Sequence, residues 1–155
     1  MVDERAPLAE GLALQPARTE DSHVLAVIDA SSQRWSRDAF AKEVDHEPPT
    51  LFVLRADGAI VAFVVVRVAG PDLDIVNIAV QEGRRRQGLG RILLRMLFKE
   101  LAPRGVKRAF LEVREGNQAA RAFYLRLGFE QTQRRPRFYS NPVEDAILMS
   151  LRLEP

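Results

Sequence analysis

Ile75-Val76-Asn77-Ile78-Ala79-Val80, then Gln81-Glu82-Gly83-Arg84-Arg85-Arg86-Gln87-Gly88-Leu89-Gly90-Arg91, then Ile92 through Leu101, is the stretch on which the fold turns. An apolar, β-branched run enters a basic loop carrying glycines and leaves it as a segment apolar at helical spacing, which reads as strand, turn and helix. Gly88 and Gly90 flank one residue and let the backbone turn tightly. Several N–H groups then point into the space ahead of the helix, where the positive end of its dipole also lies, making a seat for phosphate. Two common phosphate signatures do not fit. A P-loop needs Lys-Ser or Lys-Thr after Gly88, where this chain has Leu89-Gly90; a dinucleotide fingerprint needs a third glycine at the position of Leu93 and an acid about twenty residues on.

Arg84, Arg85, Arg86, Arg91 and Arg95 surround the loop, and Arg134, Arg135 and Arg137 form a second basic group. Such groups hold phosphates, an acidic protein or RNA, or are simply a solvated face. The formal net charge is only +2, so local clusters matter more than the total. No aromatic-rich RNA-binding pattern accompanies the arginines, and direct nucleic-acid binding is not expected. The 155 residues suit one domain, 12–155, preceded by an arm, 1–11, that has no periodicity and is expected to be loose. Cysteine is absent, which excludes a disulfide framework, a thiolate zinc site and a cysteine acyl-enzyme, and makes a cytoplasmic location the expectation. The longest apolar run, Ala59 to Val66, is far shorter than the roughly 20 residues that span a bilayer. Met1 to Gly11 carries acids and a proline where a signal peptide would be apolar, so no membrane association is expected.

Outward from the loop, Leu12 to Ala17 reads as a short strand, after which Thr19 or Asp21 can cap a helix bearing Val24, Leu25, Val27 and Ile28. Ser36 is placed to cap a second helix carrying Phe40 and Val44, ended by Pro48-Pro49. Strands 51–55 and 59–68 are joined by Asp57-Gly58, a strong hairpin signal, and Gly70-Pro71-Asp72 turns into the strand 73–80. The helix from Gly88 to about Leu101 sets Arg91, Arg95 and Lys99 on one stripe and offers Leu93, Met96, Leu97 and Leu101 to the sheet, with Pro103 and Gly105 stopping it. Val106 to Arg114 is the next strand. Asn117 caps a helix with Ala120, Phe123, Tyr124 and Leu127, Gly128 ends it, and 129–135 with 146–153 form a last strand pair. Strand, helix and strand across 73–113 imply a parallel crossover in an otherwise antiparallel sheet. The expected class is therefore α+β.

Two side chains invite chemistry. In Phe110-Leu111-Glu112-Val113-Arg114, alternation sets Glu112 opposite Leu111 and Val113. A carboxylate held among apolar neighbours has its charged form penalised and accepts a proton more readily near neutral pH; the alternative is a glutamate facing solvent or paired with Arg114. Tyr124 lies on the following helix, where a phenol with a reference pKa of about 10 can protonate a departing thiolate whose conjugate acid is near 8.5, or can simply sit at the core margin. His23 and His46 fall in polar, helix-rich segments and read as structural or surface residues; no metal site is expected.

Arg85-Arg86-Gln87-Gly88-Leu89-Gly90 resembles the Gln/Arg-x-x-Gly-x-Gly/Ala signature of the GNAT N-acetyltransferases, which cradle the pyrophosphate of acetyl-CoA. The run from Leu111 through Glu112, Asn117 and Tyr124 to Phe129 resembles the ribosomal-protein-alanine N-acetyltransferases, the RimI type, within that superfamily. Arg34-Trp35-Ser36, Asn77-Ile78-Ala79-Val80 and Glu144-Asp145-Ala146 extend the similarity over most of 12–153. The resemblance implies the GNAT fold, a mixed, mostly antiparallel sheet with a central parallel pair flanked by about four helices. It implies that Ile78, Ala79 and Val80 pair by backbone with the pantetheine arm, that Arg86, Gln87, Gly88, Leu89, Gly90 and Arg91, with Arg85 beside them, hold the pyrophosphate, and that Asn117 is a further contact. Glu112 becomes the general base and Tyr124 the general acid. Trp35 is either a core plug or a wall of the acceptor cleft, and Tyr139 helps close over the acceptor. Acetyl-CoA is the implied co-substrate, without a metal, and a protein N-terminus, such as that of a ribosomal protein, the implied partner. The amine attacks the thioester directly in a ternary complex, with the oxyanion held by backbone N–H near Val80. Residues 81–84 lack the proline and aromatic residue common before this loop, and Phe138-Tyr139 stands where many members have two tyrosines, which bears on acceptor recognition. The alternatives are a lysine or small-amine N-acetyltransferase and a non-catalytic acyl-CoA-binding module; the presence of both Glu112 and Tyr124 argues against the latter.

Overall fold

Asp57 and Gly58 adopt φ of 50° and 88°, the pair of positive values that a two-residue hairpin needs to match the twist of its strands. That hairpin starts a sheet in the computed structural model, which describes residues 11–30 and 35–153. The expected arm lies outside the described residues except for Gly11, as does Arg34 of the Arg34-Trp35-Ser36 motif. Strands β1 (Leu12–Pro16), β2 (Leu51–Ala56), β3 (Ala59–Ala69), β4 (Asp72–Val80), β5 (Arg108–Arg114), β6 (Glu130–Tyr139) and β7 (Glu144–Arg152) form one seven-stranded sheet in the order β1-β2-β3-β4-β5-β7-β6. All neighbours run antiparallel except β4 and β5, the central parallel pair. The helices are α1 (Ser22–Asp29), α2 (Arg37–Val44), α3 (Leu89–Leu101) and α4 (Gln118–Arg126). Among the described residues, no helix is long and apolar enough to cross a membrane.

Local signals act where expected, with one exception. The Ser36 side chain accepts from Ala39 N–H at 3.1 Å and the Asn117 side chain from Ala120 N–H at 3.1 Å, each satisfying an orphan donor of the first helical turn. Asp21 does not cap α1. Its carboxylate is drawn instead to Arg55 Nη2, at 2.9 and 3.0 Å, and to Arg18 N–H at 2.8 Å, because a buried acid needs a cationic partner more than a helix needs a cap.

The sheet separates two apolar clusters. Leu93, Leu94, Leu97 and Leu101 of α3 and Tyr124 of α4 pack with Leu73, Ile75, Leu111 and Val113 on one face. Leu25 and Ile28 of α1 and Phe40 of α2 pack with Val53, Phe63, Val65 and Ala79 on the other, over β2 to β4. In β4 the alternation is broken. Val65 pairs with Asn77 and Val66 with Ile75, which leaves Val76 as an extra, bulged residue. Ile75, Ile78 and Val80 therefore face the α3 side, while Val76 and Ala79 face α1 and α2.

Candidate active site

The bulge coincides with the end of the parallel ladder. β4 pairs with β5 only from Asp72↔Arg108 to Ile75↔Leu111; beyond that, β4 stays on β3 through Val80↔Ala62, and β5 stays on β7 through Arg114↔Ala146. The two strands part like the arms of a V, with Ile78, Ala79 and Val80 on one arm and Glu112 on the other. A strand edge released in this way offers its peptide groups to an extended ligand.

The glycine loop follows directly from the Val80 end of the V and leads into α3. Gly88 is the N-cap of α3 at φ 80°, a left-handed conformation that a side chain resists, and no side chain caps this helix. Gly83 and Arg86 are also left-handed, at φ 81° and 65°. Arg85 folds back, its Nε donating to the Val80 carbonyl at 3.1 Å. Gly90 fits for a different reason: a Cβ there would stand 3.1 Å from Phe123 Cζ, a tight contact, and 3.7 Å from Val80 Cγ2, so a side chain would press α3 away from α4. Leu89 is buried, whereas Arg84 through Gly88 and Arg91 are exposed. The expected basic stripe is incomplete. Arg95 is only 7% exposed, and its Nε and Nη2 have no hydrogen-bond partner among the described residues.

Tyr139 lies within electrostatic reach of both Tyr124 and Glu112. Burial pushes the Tyr124 phenol well above its usual pKa, and Tyr139 adds to the effect. Burial also raises Tyr139, with Glu112 and Glu144 raising it further and Arg114 opposing them. The Tyr124 ring lies against Phe123 and Phe129, at centroid distances of 5.1 and 5.5 Å, and no hydrogen bond engages its hydroxyl among the described residues. Asn117 commits its Oδ1 to the helix cap, so a ligand contact from its side chain would fall to Nδ2.

The expected apolar surroundings of Glu112 are not there. Its side chain is 36% exposed, and its Oε1 lies 3.5 Å from Arg135 Nη1 rather than near Arg114. Alternation along β5 does place it opposite Leu111 and Val113, but α1 and α2 cover that face only over β2 to β4, so Glu112 emerges on an open face, where Arg135 reaches it from the edge strand β6 across β7. Arg114 turns to the β6–β7 connection. Its guanidinium lies 4.4 Å from the Tyr139 ring centroid, pairs with Glu144 at 3.2 Å and donates to the carbonyls of Ser140 and Pro142 at 3.1 and 3.0 Å. Glu144 Oε2 in turn accepts from Gly116 N–H at 2.6 Å. These contacts, invisible to strand and helix patterns, hold the Tyr139 ring against Arg114 at the end of β5.

Trp35 serves the α1–α2 side. Its ring packs on Phe40 at 5.4 Å, and its edge lines a shallow depression with Ala39, Lys42, Glu43 and His46. His46 pairs with Glu43 at 3.2 Å, and Arg67 completes that cluster. Among the described residues, no group of three or more His, Asp or Glu could hold a metal.

Residues 17–129 match the model of the acetyltransferase (GNAT) family. The [ribosomal protein bS18]-alanine N-acetyltransferase of Escherichia coli K12 is 41% identical over 119 residues, covering 76% of this chain and 80% of that protein. The crystal structure of the Escherichia coli ribosomal-protein-S18-alanine N-acetyltransferase superposes with a TM-score of 0.81 at 35% identity, over 93% of this chain and 95% of that one. Arabidopsis thaliana NAA60, solved in complex with acetyl-CoA, shares the fold with a TM-score of 0.78 at 18% identity, over 92% and 99% of the two chains. Strand order, the parted parallel pair, the glycine turn and these likenesses agree: the chain is an acyltransferase that belongs to the GNAT family.

Proposed function

We propose that residues 12–155 form one acetyltransferase domain that moves the acetyl group of acetyl-CoA to the N-terminal α-amino group of a protein, a ribosomal protein of the bS18 type being the first candidate. The observation that carries this reading is the end of the β4–β5 ladder at Ile75↔Leu111. It frees a strand edge beside the glycine N-cap of α3, and the next residue along β5 is Glu112. Acetyl-CoA supplies the activated thioester. Ile78, Ala79 and Val80 align its amide-bearing arm, Arg85 to Arg91 with Gly88 and Gly90 at the helix start receive its pyrophosphate, and Asn117 adds a contact.

Glu112 takes the proton of the acceptor amine. A protein α-amino group has a pKa of about 7.7 to 8.0, so a reachable carboxylate acting directly or through a water suffices, and full burial is not needed. Backbone N–H near Val80 steadies the oxyanion. Tyr124 keeps its proton across the physiological range, because burial raises its pKa, and donates to the sulfur as the bond breaks. The same burial penalises a free thiolate, which keeps donor and recipient matched. Tyr139 and Trp35 border the acceptor side.

The test offers acetyl-CoA with peptides that begin with alanine and differ only in a free or blocked N-terminus, and locates the added acetyl group by mass spectrometry. Label on the free α-amine alone is the expected result. Label confined to lysine side chains, or none at all, overturns the proposal.

A further inference from the structure

Asp29 ends α1, and its side chain is completely buried. This is a poor place for a carboxylate, since the C-terminus of a helix is the negative end of its dipole and burial strips the charge of water. Two hydrogen bonds are among the contacts that hold it there. Trp35 N–H donates to Oδ2 at 2.7 Å, and Asn77 Nδ2 donates to Oδ1 at 3.1 Å. Asn77 is itself only 3% exposed. A pair of leucines would serve an interface between a helix and a sheet at lower cost, so a buried acid and amide here specify position rather than add stability.

What they position follows from the bulge. Val76 shifts the alternation by one residue, and only that shift turns Asn77 toward α1 and away from the face that holds Ile75. The next three residues are Ile78, Ala79 and Val80. On the other side, Asp29 grips the backbone at the point where the chain enters α2, next to the Trp35 ring. Asp29 thus ties the segment on the acceptor side directly to the strand on the cofactor side.

We propose that Asp29 is a positioning residue for the acceptor: through Asn77 it sets the distance between the Trp35 wall and the edge of β4, and so aligns the acceptor amine with the acyl carbon. The inference rests on the acetyltransferase reading and on Trp35 bordering the acceptor. It does not depend on which amine is the acceptor, so it is tested with whichever amine the wild-type protein acetylates; failure to acetylate any amine defeats the functional reading instead.

Asn77→Asp sets two carboxylates against each other. The exchange Asp29→Asn with Asn77→Asp restores a donor and an acceptor in reversed order, and the amide placed on α1 still offers an oxygen to Trp35 N–H. Steady-state kinetics and acetyl-CoA calorimetry are measured on wild type, the single variant and the double. The expected result for Asn77→Asp is a rise of about tenfold or more in the acceptor KM, as for a lost hydrogen bond to a charged group, with the Kd for acetyl-CoA within about twofold of wild type. The double variant is expected to return the acceptor KM to within about threefold. Should Asn77→Asp fail to fold, Asn77→Ala removes the donor without adding charge and is held to the same KM and Kd criteria. An unchanged acceptor KM, a parallel loss of acetyl-CoA affinity, or a folded double variant that recovers nothing each overturns the proposal.

Discussion

Tyr124→Phe removes one oxygen from a buried ring and separates the catalytic from the structural part of this residue. The ring keeps its contacts with Phe123 and Phe129, and no hydrogen bond is lost among the described residues. Stability near pH 7 should therefore change by no more than about 0.5 kcal/mol. Turnover should fall about a hundredfold, the loss expected when a positioned donor no longer meets a developing negative charge, with the Kd for acetyl-CoA little changed. The pH dependence supplies a second readout. Because the folded pKa is raised by burial, the folded protein holds the phenolic proton where the unfolded chain releases it. This contribution is fully present below the unfolded value of about 10 and is lost as pH rises toward the folded one, at up to about 1.4 kcal/mol per pH unit. Tyr139 and the lysines also titrate there, so the quantity to measure is wild type minus Tyr124→Phe, by denaturant unfolding between pH 8 and pH 11, a range chosen to straddle about 10. The difference should be flat at first and then decline. Turnover within about threefold of wild type would remove Tyr124 from the chemistry, and a difference that stays flat throughout would refute its desolvation.

Four further substitutions probe the site and its core. Glu112→Gln should bind acetyl-CoA normally and lose most turnover at neutral pH, with recovery toward about pH 9 as the α-amine of about 7.7 to 8.0 deprotonates unaided; unchanged turnover in a pH–rate profile would exclude Glu112 as the base. Gly88→Ala meets open space but forces a side chain into φ 80°, and should cost about 1 to 2 kcal/mol in chemical denaturation. Gly90→Ala gains helix propensity while pressing on Phe123 Cζ at 3.1 Å, so calorimetry should show weakened acetyl-CoA binding with little loss of stability. Arg95→Met replaces a buried guanidinium whose Nε and Nη2 have no hydrogen-bond partner among the described residues with an apolar chain of similar length, and should raise stability by about 1 to 3 kcal/mol, visible as a higher melting temperature.

The legible part of the fold is the part specified by short-range chemistry. Asp57-Gly58 has one comfortable conformation, Ser36 and Asn117 have one nearby orphan donor each to satisfy, and the Leu93 to Leu101 stripe has one sheet to bury itself against. None of these needs knowledge of a distant partner. The insertion of β7 between β5 and β6 does, and a run of alternating residues cannot say which strand it will lie beside. The surroundings of Glu112 were hidden for the same reason. Alternation gives the face a residue occupies, but whether that face is covered depends on where α1 and α2 come to rest, and they stop at β4.

The bulge at Val76 marks the limit most sharply, because there the periodic reading fails by one residue and the site depends on that failure. Strict alternation would place Ile75, Asn77 and Ala79 on one face, an amide among the leucines of α3. Instead one extra residue turns Asn77 and Ala79 toward α1 and α2 and brings Asn77 to Asp29. Pairing with β5 ends at the same point, at Ile75↔Leu111. A bulge increases local twist and terminates pairing, so a single inserted residue both opens the V and anchors its acceptor side. The sequence carries a trace of this in Asn77 itself, a polar residue in the otherwise apolar run Ile75 to Val80 that no solvent-facing position explains. Deleting Val76 should restore regular pairing with β3 while leaving Asn77 opposite Ile75 and facing α1, let the β4–β5 ladder run on past Ile75↔Leu111, and abolish acetyl-CoA binding in calorimetry; a deletion variant that folds and still binds acetyl-CoA as wild type does would show that the V opens for some other reason.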